Sequence, residues 1–454
     1  MDADRACSNN SVVRTGERLT AAVIGGGIGG LAAAAALTRA GVEASVYEQA
    51  PVLGEVGAGV LIGPNSVRLL HRLGLASAID EVGGWVGEGS TYYRHDGTRV
   101  ASVMTTDSSG WAAMYGMHRA DLLDVLRRAI PADRVHPGHR AVSFDQRTAS
   151  EQKTAFGEGT PRPRVSFENG AVAEADLVIA ADGIHSALRR FVTGQSTPVF
   201  SGSVAYRGVL DSARVPDWPA RVFQVWMGRG RHIIVFPLRA GRLLNFVCFV
   251  PADGEMRESW SAPGDPDALR AAFEGFAAPV TGLLGQIDST FWWGLYDREP
   301  LAEWTSGRLA LLGDAAHPML PHLGQGANQS IEDAFALAAA LKDAAAADVP
   351  AALRRYTQVR RRRTDVVQAN SRRNGERYDQ VNRTADGRDR ELIDARTLRA
   401  WIYDYDVEAE PELIAPTSGL HSGCPELRSR PATATAAAAR AGTRPHTSMP
   451  VLAP

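Results

Sequence analysis

The sequence predicts an α/β fold in which a parallel βαβ layer opens the chain, an antiparallel sheet interrupts it and helices close it. Three observations support that reading. "RLTAAVIGGGIGGLAAAAALTRAGVEASVYEQA", residues 18–50, reads strand, glycine turn, helix, Gly41 and strand. From about 199 to 296 the texture turns β-rich, in the runs "VAYRGVL", "RVFQVWM", "RHIIVFPL", "RLLNFVCFV" and "STFWWGLY". "GRLALLGDAAH" then returns to a buried strand, and two long helical patterns follow at roughly 327–345 and 350–376.

The intervening elements follow from local signals. Pro64 starts and Gly74 stops a helix over about 64–73. "STYYRHDGTRVASV" is a hairpin in which Asp96-Gly97 supplies the positive backbone angles of a tight turn. "RADLLDVLRRAI" has the spacing of an amphipathic helix. "ADLVIAADG" is a buried strand running into a turn, with "IHSALRRFV" continuing as a helix. One helical break, near 266–285, divides the β-rich stretch, and a last helical pattern at about 388–403 ends in "WIYDYD". Residues 1–18 and 427–454 lack periodicity and are expected to be disordered tails.

Composition narrows the function. The 454-residue chain is long enough for more than one domain, and its net charge of −2 argues against a nucleic-acid surface. Lys153 and Lys342 are the only lysines, so the arginine excess reads as compositional bias. The Arg360–Arg363 run is expected to be a solvated or ion-paired helix face. Cys7, Cys248 and Cys424 offer neither a disulfide framework nor metal-ligand spacing, so no metal site is expected and a reducing cytoplasm fits. The opening Met-Asp-Ala-Asp-Arg has no apolar core, so no secretory signal is expected, and no stretch approaches the ~20 apolar residues of a membrane span.

Gly25-x-Gly27-x-x-Gly30 lies between the first strand and helix, and Glu48 ends the second strand. Gly25 permits the tight turn, Gly27 lets backbone approach a pyrophosphate, and Gly30 lets helix pack on strand. The helix start offers amides and a partial positive charge to phosphates. Glu48 can accept hydrogen bonds from a ribose diol. With strand, helix and acid all in place, the pattern specifies dinucleotide binding.

"GDAAHPMLPHLGQGANQSIEDA", residues 313–334, decides which dinucleotide. Asp314 ends a buried strand, where acids contact cofactors at sheet edges. Gly324-Gln325-Gly326-Ala327-Asn328 leads into a helix whose first turn is expected to hold Glu332 and Asp333, favourable to its dipole. A carboxylate suits sugar-like hydroxyls, and bare amides suit a developing anion. A reduced flavin presents both. No second glycine fingerprint marks a separate NADPH domain.

These segments resemble the group A flavoprotein aromatic hydroxylases, in the salicylate hydroxylase and 3-hydroxybenzoate 6-hydroxylase branch. The likeness runs over about 20–378 and includes "GEVGAGVLIGPNSVRLL", "MHRADLL", "DGIHSALR" and "YRG". It implies a p-hydroxybenzoate hydroxylase-like fold, noncovalent FAD, and NADH or NADPH and O2 as co-substrates. It implies an aromatic, phenolic substrate oxygenated through a flavin hydroperoxide, with oxidative decarboxylation or epoxidation as same-family alternatives. A flavin-binding sequestration or redox-sensing protein is a more distant reading. Flavin halogenases and two-Rossmann Baeyer–Villiger enzymes are disfavoured, because W-x-W-x-I-P and a second fingerprint are absent.

The resemblance also implies roles. Gly59, Val60 and Arg119 should contact FAD, with Arg119 at the pyrophosphate. Asp182 and Gly183 should serve the pyrophosphate and transient nicotinamide, Asp314 the ribityl chain, and Gly324, Gly326, Ala327 and Asn328 the pyrimidine edge. His232 and His322 compete as the base that activates a phenol. Phe236 stands where the 3-hydroxybenzoate 6-hydroxylase pattern has tyrosine. Arg207, Phe236 and Pro321 are the candidate substrate contacts. Trp226, Phe246, Trp292 and Trp293 are pocket or core residues.

The expected organisation is a discontinuous FAD domain (19–88, 109–197 and 293–378), a β-rich substrate domain (89–108 and 198–292) and a C-terminal helical segment (379–426). The expected oligomeric state is monomer or homodimer.

Overall fold

The strand "TAAVI" shows no polar alternation because both of its faces are covered. Four of its five residues are buried. In the computed structural model, which describes residues 18–52, 54, 59–146, 162–194, 196–252, 254, 262–379 and 385–414, it is central in a six-stranded sheet. The order is Thr305–Ser306, Leu309–Leu311, Leu177–Ala180, Thr20–Ile24, Glu43–Tyr47, Val135–His136. All neighbours are parallel except the first pair. The expected tails, and Cys7, Lys153 and Cys424 with them, lie outside the described residues.

The helix Ile28–Arg39 buries Leu31 through Leu37, five of them alanines, against the helix Gly326–Leu341. Small side chains let the two backbones approach. A Cβ at Gly29 would lie 2.8 Å from Leu312 and 3.1 Å from Ser330. The chain's start and its last third are thereby in direct contact.

The β-rich stretch forms an eight-stranded sheet ordered Ala262–Gly264, Thr290–Asp297, Val199–Asp211, Leu243–Pro251, Arg231–Leu238, Gln224–Gly228, Thr91–Arg94, Arg99–Ser102. It is antiparallel except where Gln224–Gly228 meets Thr91–Arg94, which run parallel. Helices Pro266–Ala272 and Ala278–Gly285, two rather than one, cover its outer face with Trp226 and Phe246 in the shared core. A third sheet, Gly59–Ile62, Met114–His118 and Gly84–Val86, lies beside it. All of these elements belong to one unit ending at Ala415, and no helix of the described residues is long and apolar enough to cross a membrane.

Several local expectations are corrected. In the hairpin only Gly97 has a positive φ, 94°. Asp96 instead accepts the Thr98 N–H through its side chain. "IHSALRRFV" is helical only over Arg190–Thr193, because the Asp182 carboxylate takes the Ala187 N–H at 2.8 Å and holds a turn. The last pattern splits into Ala385–Asp394 and Arg396–Tyr403. Glu332 and Asp333 miss the first turn of Gly326–Leu341 and are wholly buried. They meet Arg360 and Arg363 of the long helix Val349–Asp379 at 2.6–2.7 Å. The arginine run is thus half an internal ion network and half a surface.

Candidate active site

The glycine turn and the 313–330 segment line one cavity of about 940 Å³. Each fingerprint glycine has its own steric reason. Gly25 has φ 108°, and a Cβ there would lie 2.3 Å from the Ala181 carbonyl oxygen. A Cβ on Gly30 would lie 1.9 Å from the Gly25 oxygen, so Gly30 closes the turn from behind and does not line the cavity. A Cβ on Gly27 meets nothing within 4 Å, which leaves bare backbone facing the cavity at the helix start. Glu48 accepts the Gly26 and Ala50 N–H groups at 2.6 and 2.8 Å and lines the same end.

At the other strand end, Gly313 turns with φ 62° and presents Asp314 to the cavity. The surrounding protein pushes the Asp314 carboxyl above its ordinary value, against the pull of His317 and Arg119. Behind it, Asp333 Oδ2 accepts the Gly313 N–H at 3.0 Å and meets His317 Nε2 at 2.6 Å. Burial alone would raise the Asp333 pKa, but His317 and Arg360 outweigh it and hold the carboxyl at about 2. Gly324, with φ 64°, ends the Pro321–Leu323 turn, after which Gln325, Gly326 and Ala327 line the cavity.

Asn328 does not line it. Its amide is spent on Gly63 N–H, Ser66 Oγ, Leu61 O and Gly324 O, so its side chain ties the loop to the neighbouring helix and strand. Gly59, Val60, Arg119, Asp182 and Gly183 all line the cavity. The Gly59 N–H is donated to Asn245 Oδ1 at 2.8 Å, and a Cβ there would strike that side chain.

Beyond the loop, the cavity is walled by the eight-stranded sheet, with Phe236, Phe249 and Trp293 on its inner face. The Arg207 guanidinium sits 4.0 Å over the Trp293 ring, and Pro321 and His322 line the cavity too, the His322 ring 4.9 Å from that of Phe249. His322 fits because Gly375 of the long helix has no side chain. A Cβ there would lie 2.6 Å from the ring. Burial, helped by His232, lowers the His322 pKa well below 6.5, so the ring is neutral at pH 7.

His232 is a correction. It points to the same face of its strand as Ile234 and Phe236, but the end of the long helix covers it. It is 0% exposed and lines no part of the cavity. Its ring stacks on Phe249 at 4.2 Å, lies 5.2 Å from His322, and its Nδ1 meets Asp379 at 2.6 Å. It stands behind His322, one ring away from the cavity.

A protein family described as FAD binding domain matches residues 18–371. The 3-amino-4-hydroxybenzoate 2-monooxygenase of Streptomyces platensis is 39% identical over 402 residues, covering 86% of this chain and 96% of that protein. The 6-hydroxynicotinate 3-monooxygenase of Bordetella bronchiseptica is 34% identical, with 86% and 96% covered. A solved salicylate hydroxylase substrate complex superposes with a TM-score of 0.74 at 31% identity, covering 88% of this chain and 99% of that one. The chain belongs to the group A flavoprotein hydroxylases.

This hydroxylase is an FAD-dependent aromatic monooxygenase with NAD(P)H and O2 as co-substrates. Its residues fit FAD. The cavity joins bare backbone at Gly27, the Glu48 carboxylate and Asp314, and Asp182 Oδ1 is a buried oxygen with no hydrogen-bond partner. Sequence reading missed Gly375, Asp379 and Arg399. Gly375 and Arg399 lie in helical patterns whose only signal is their own period, and Asp379 just past the first of them. The docking of those helices sets Gly375 against His322, Asp379 against His232 and Arg399 at the cavity.

Proposed function

We propose that this hydroxylase acts on a small aromatic acid bearing a ring hydroxyl or amino group. The observation behind this reading is the cavity's second half, where an apolar, aromatic wall adjoins a buried, neutral histidine. The relatives named above act, by their names, on an aminohydroxybenzoate and a hydroxynicotinate.

In this reading Gly25, Gly27 and Glu48 seat the adenosine half of FAD, Gly30 serving through the shape of the turn. Arg119, Asp182 and Gly183 flank its pyrophosphate. Asp314 takes sugar hydroxyls, and the amides from Gly324 to Ala327 face the flavin ring, Asn328 serving through loop shape. When bound, FAD supplies O2 activation with electrons from NAD(P)H. The chain's own residues dry the pocket through Phe236, Phe249 and Trp293 and fix the ring orientation. His322 accepts the hydrogen bond of the substrate hydroxyl, with His232 and Asp379 steadying it from behind. Arg207 and Pro321 flank the ring. The six-stranded layer then serves as the FAD domain and the eight-stranded sheet as the substrate domain.

The test is a panel of hydroxylated benzoates and nicotinates. Salicylate, 3-amino-4-hydroxybenzoate or 6-hydroxynicotinate should accelerate NADH or NADPH oxidation, with a product gaining one oxygen by mass spectrometry. Hydrogen peroxide alone across the panel would overturn the reading.

A further inference from the structure

We propose that Arg399, on the C-terminal helix Arg396–Tyr403, is the receptor for the carboxylate of the substrate. The proposal rests on the aromatic-hydroxylase reading above and adds the group that selects an acid.

Six arginines of the described residues are buried: Arg189, Arg298, Arg308, Arg360, Arg363 and Arg399. Arg360 and Arg363 are neutralised by Glu332 and Asp333. Arg189, Arg298 and Arg308 donate to backbone carbonyls and so tie loops together. Arg399 differs on both counts. It is 8% exposed, and it alone of the six lines the cavity. The oxygens facing it are phenolic: Tyr92 at 2.7 Å, Tyr403 at 3.0 Å and Tyr378 at 3.5 Å. Burial pushes the Tyr92 hydroxyl well above its ordinary value, so it stays a neutral acceptor. Among the described residues no carboxylate pairs with Arg399.

A buried guanidinium without a counter-ion is costly, and three phenols take only part of its five N–H donors. An anion entering from the cavity would supply the missing charge through the fork geometry that suits a carboxylate. The location is right. Tyr378 touches both Arg399 and, at 5.0 Å between ring centroids, His232, which adjoins His322. The carboxylates that line the cavity, Glu48, Asp182 and Asp314, all come from the FAD-binding segments, so none competes at the sheet end. A ring anchored by its acid at Arg399 would lie along the aromatic wall with its hydroxyl toward His322.

The experiment measures the dissociation constants of salicylate, 3-amino-4-hydroxybenzoate and their primary amides for the FAD-loaded enzyme, by perturbation of flavin absorbance. Wild type should prefer acid to amide by about 10- to 100-fold, the range of one charge-assisted contact. Arg399→Met should lose that preference by weakening the acid alone, with FAD content unchanged. Arg399→Lys, which keeps the charge, should retain part of it and guards against a folding failure of the first variant. Equal weakening of acid and amide would make Arg399 structural, and loss of the preference in Arg207→Met instead would move the anion site there. Stimulation of NAD(P)H oxidation by acids, with the acid preference of Arg399→Met equal to wild type, would overturn the Arg399 assignment alone, whereas stimulation by neutral phenols but not by acids would overturn the aromatic-acid reading with it. No oxygenation of any phenol would overturn the underlying reading.

Discussion

Arg360 is the centre of the buried ion network. It is fully buried, donating to Asp333 Oδ1 at 2.7 Å, Glu332 Oε2 at 2.6 Å and Gln329 Oε1 at 2.8 Å. Arg360→Met keeps the bulk of the stem and removes the charge. Glu332 would still hold Arg363 at 2.7 and 3.0 Å, and Asp333 Oδ2 would still hold His317 and the Gly313 N–H. Asp333 Oδ1 would be left bare. Breaking a buried ion pair from one side costs about 3–5 kcal/mol, and the surviving partners place this case at the low end, about 3 kcal/mol. With a urea dependence of roughly 3 kcal/mol per molar or more for a chain this size, the unfolding midpoint should fall by about 1 M or less. FAD retention should fall with it, because Asp333 anchors the residue before Asp314.

Two comparisons sharpen that test. Adding Asp333→Asn to Arg360→Met removes the orphaned charge, so the double variant should be less destabilised than the sum of the singles, by about 1–3 kcal/mol. In wild type the Asp333 carboxyl lies at about 2, below the ordinary 3.8. Its stabilisation is therefore complete above about pH 4 and is lost as the pH falls toward 2, roughly 2 kcal/mol in all. Arg360→Met should flatten that acid slope. A single variant within about 0.2 M of wild type, or strict additivity in the double, would refute the account of the network.

Three further outcomes can be checked. Gly375→Val places a side chain where the His322 ring stands, so oxygenated product per NAD(P)H consumed should drop severalfold, with FAD content retained; unchanged coupling would show that the ring's position is immaterial. His322 has a folded pKa well below 6.5, so stability should be level above about pH 7 and decline as the pH drops through 6.5 toward the folded value. His322→Gln should remove part of that slope in a denaturation series from pH 7.5 to 5.5. His232→Ala should slow oxygenation and alter its pH profile while FAD binding holds, and equal loss of both would make His232 purely structural.

The parts of this molecule legible from the sequence are those whose chemistry is local. The glycine spacing, Glu48 and the Gly313–Ala327 run each encode a backbone path within a few residues, and Gly25, Gly27, Glu48, Gly313, Asp314 and Gly324 through Ala327 line one cavity. Where the reading slipped, a distant element had intervened. His232 sits on the correct face of its strand, but the end of the Val349–Asp379 helix lies over it. Glu332 and Asp333 looked like dipole partners, yet a helix about thirty residues further on brings two arginines onto them. Asn328 spends most of its side-chain hydrogen bonds on residues more than 260 positions away.

The residues that cover His232 (Tyr378 and Asp379) come late in the chain, as do Gly375 and Arg399. The FAD-binding match ends at residue 371, whereas Gly375, Tyr378, Asp379 and Arg399 all follow it. The FAD-binding segments must fit one fixed molecule, which constrains their turns and glycines. Of the residues after 371, Arg399 lines the cavity, whose sheet end is where ligands can differ in the position of an acid or hydroxyl. A guanidinium carried on a helix can be moved by one turn, about 5.4 Å, through a shift in docking, without disturbing the flavin loop. Substrate choice in this enzyme is therefore best sought in how the C-terminal helices close over the sheet.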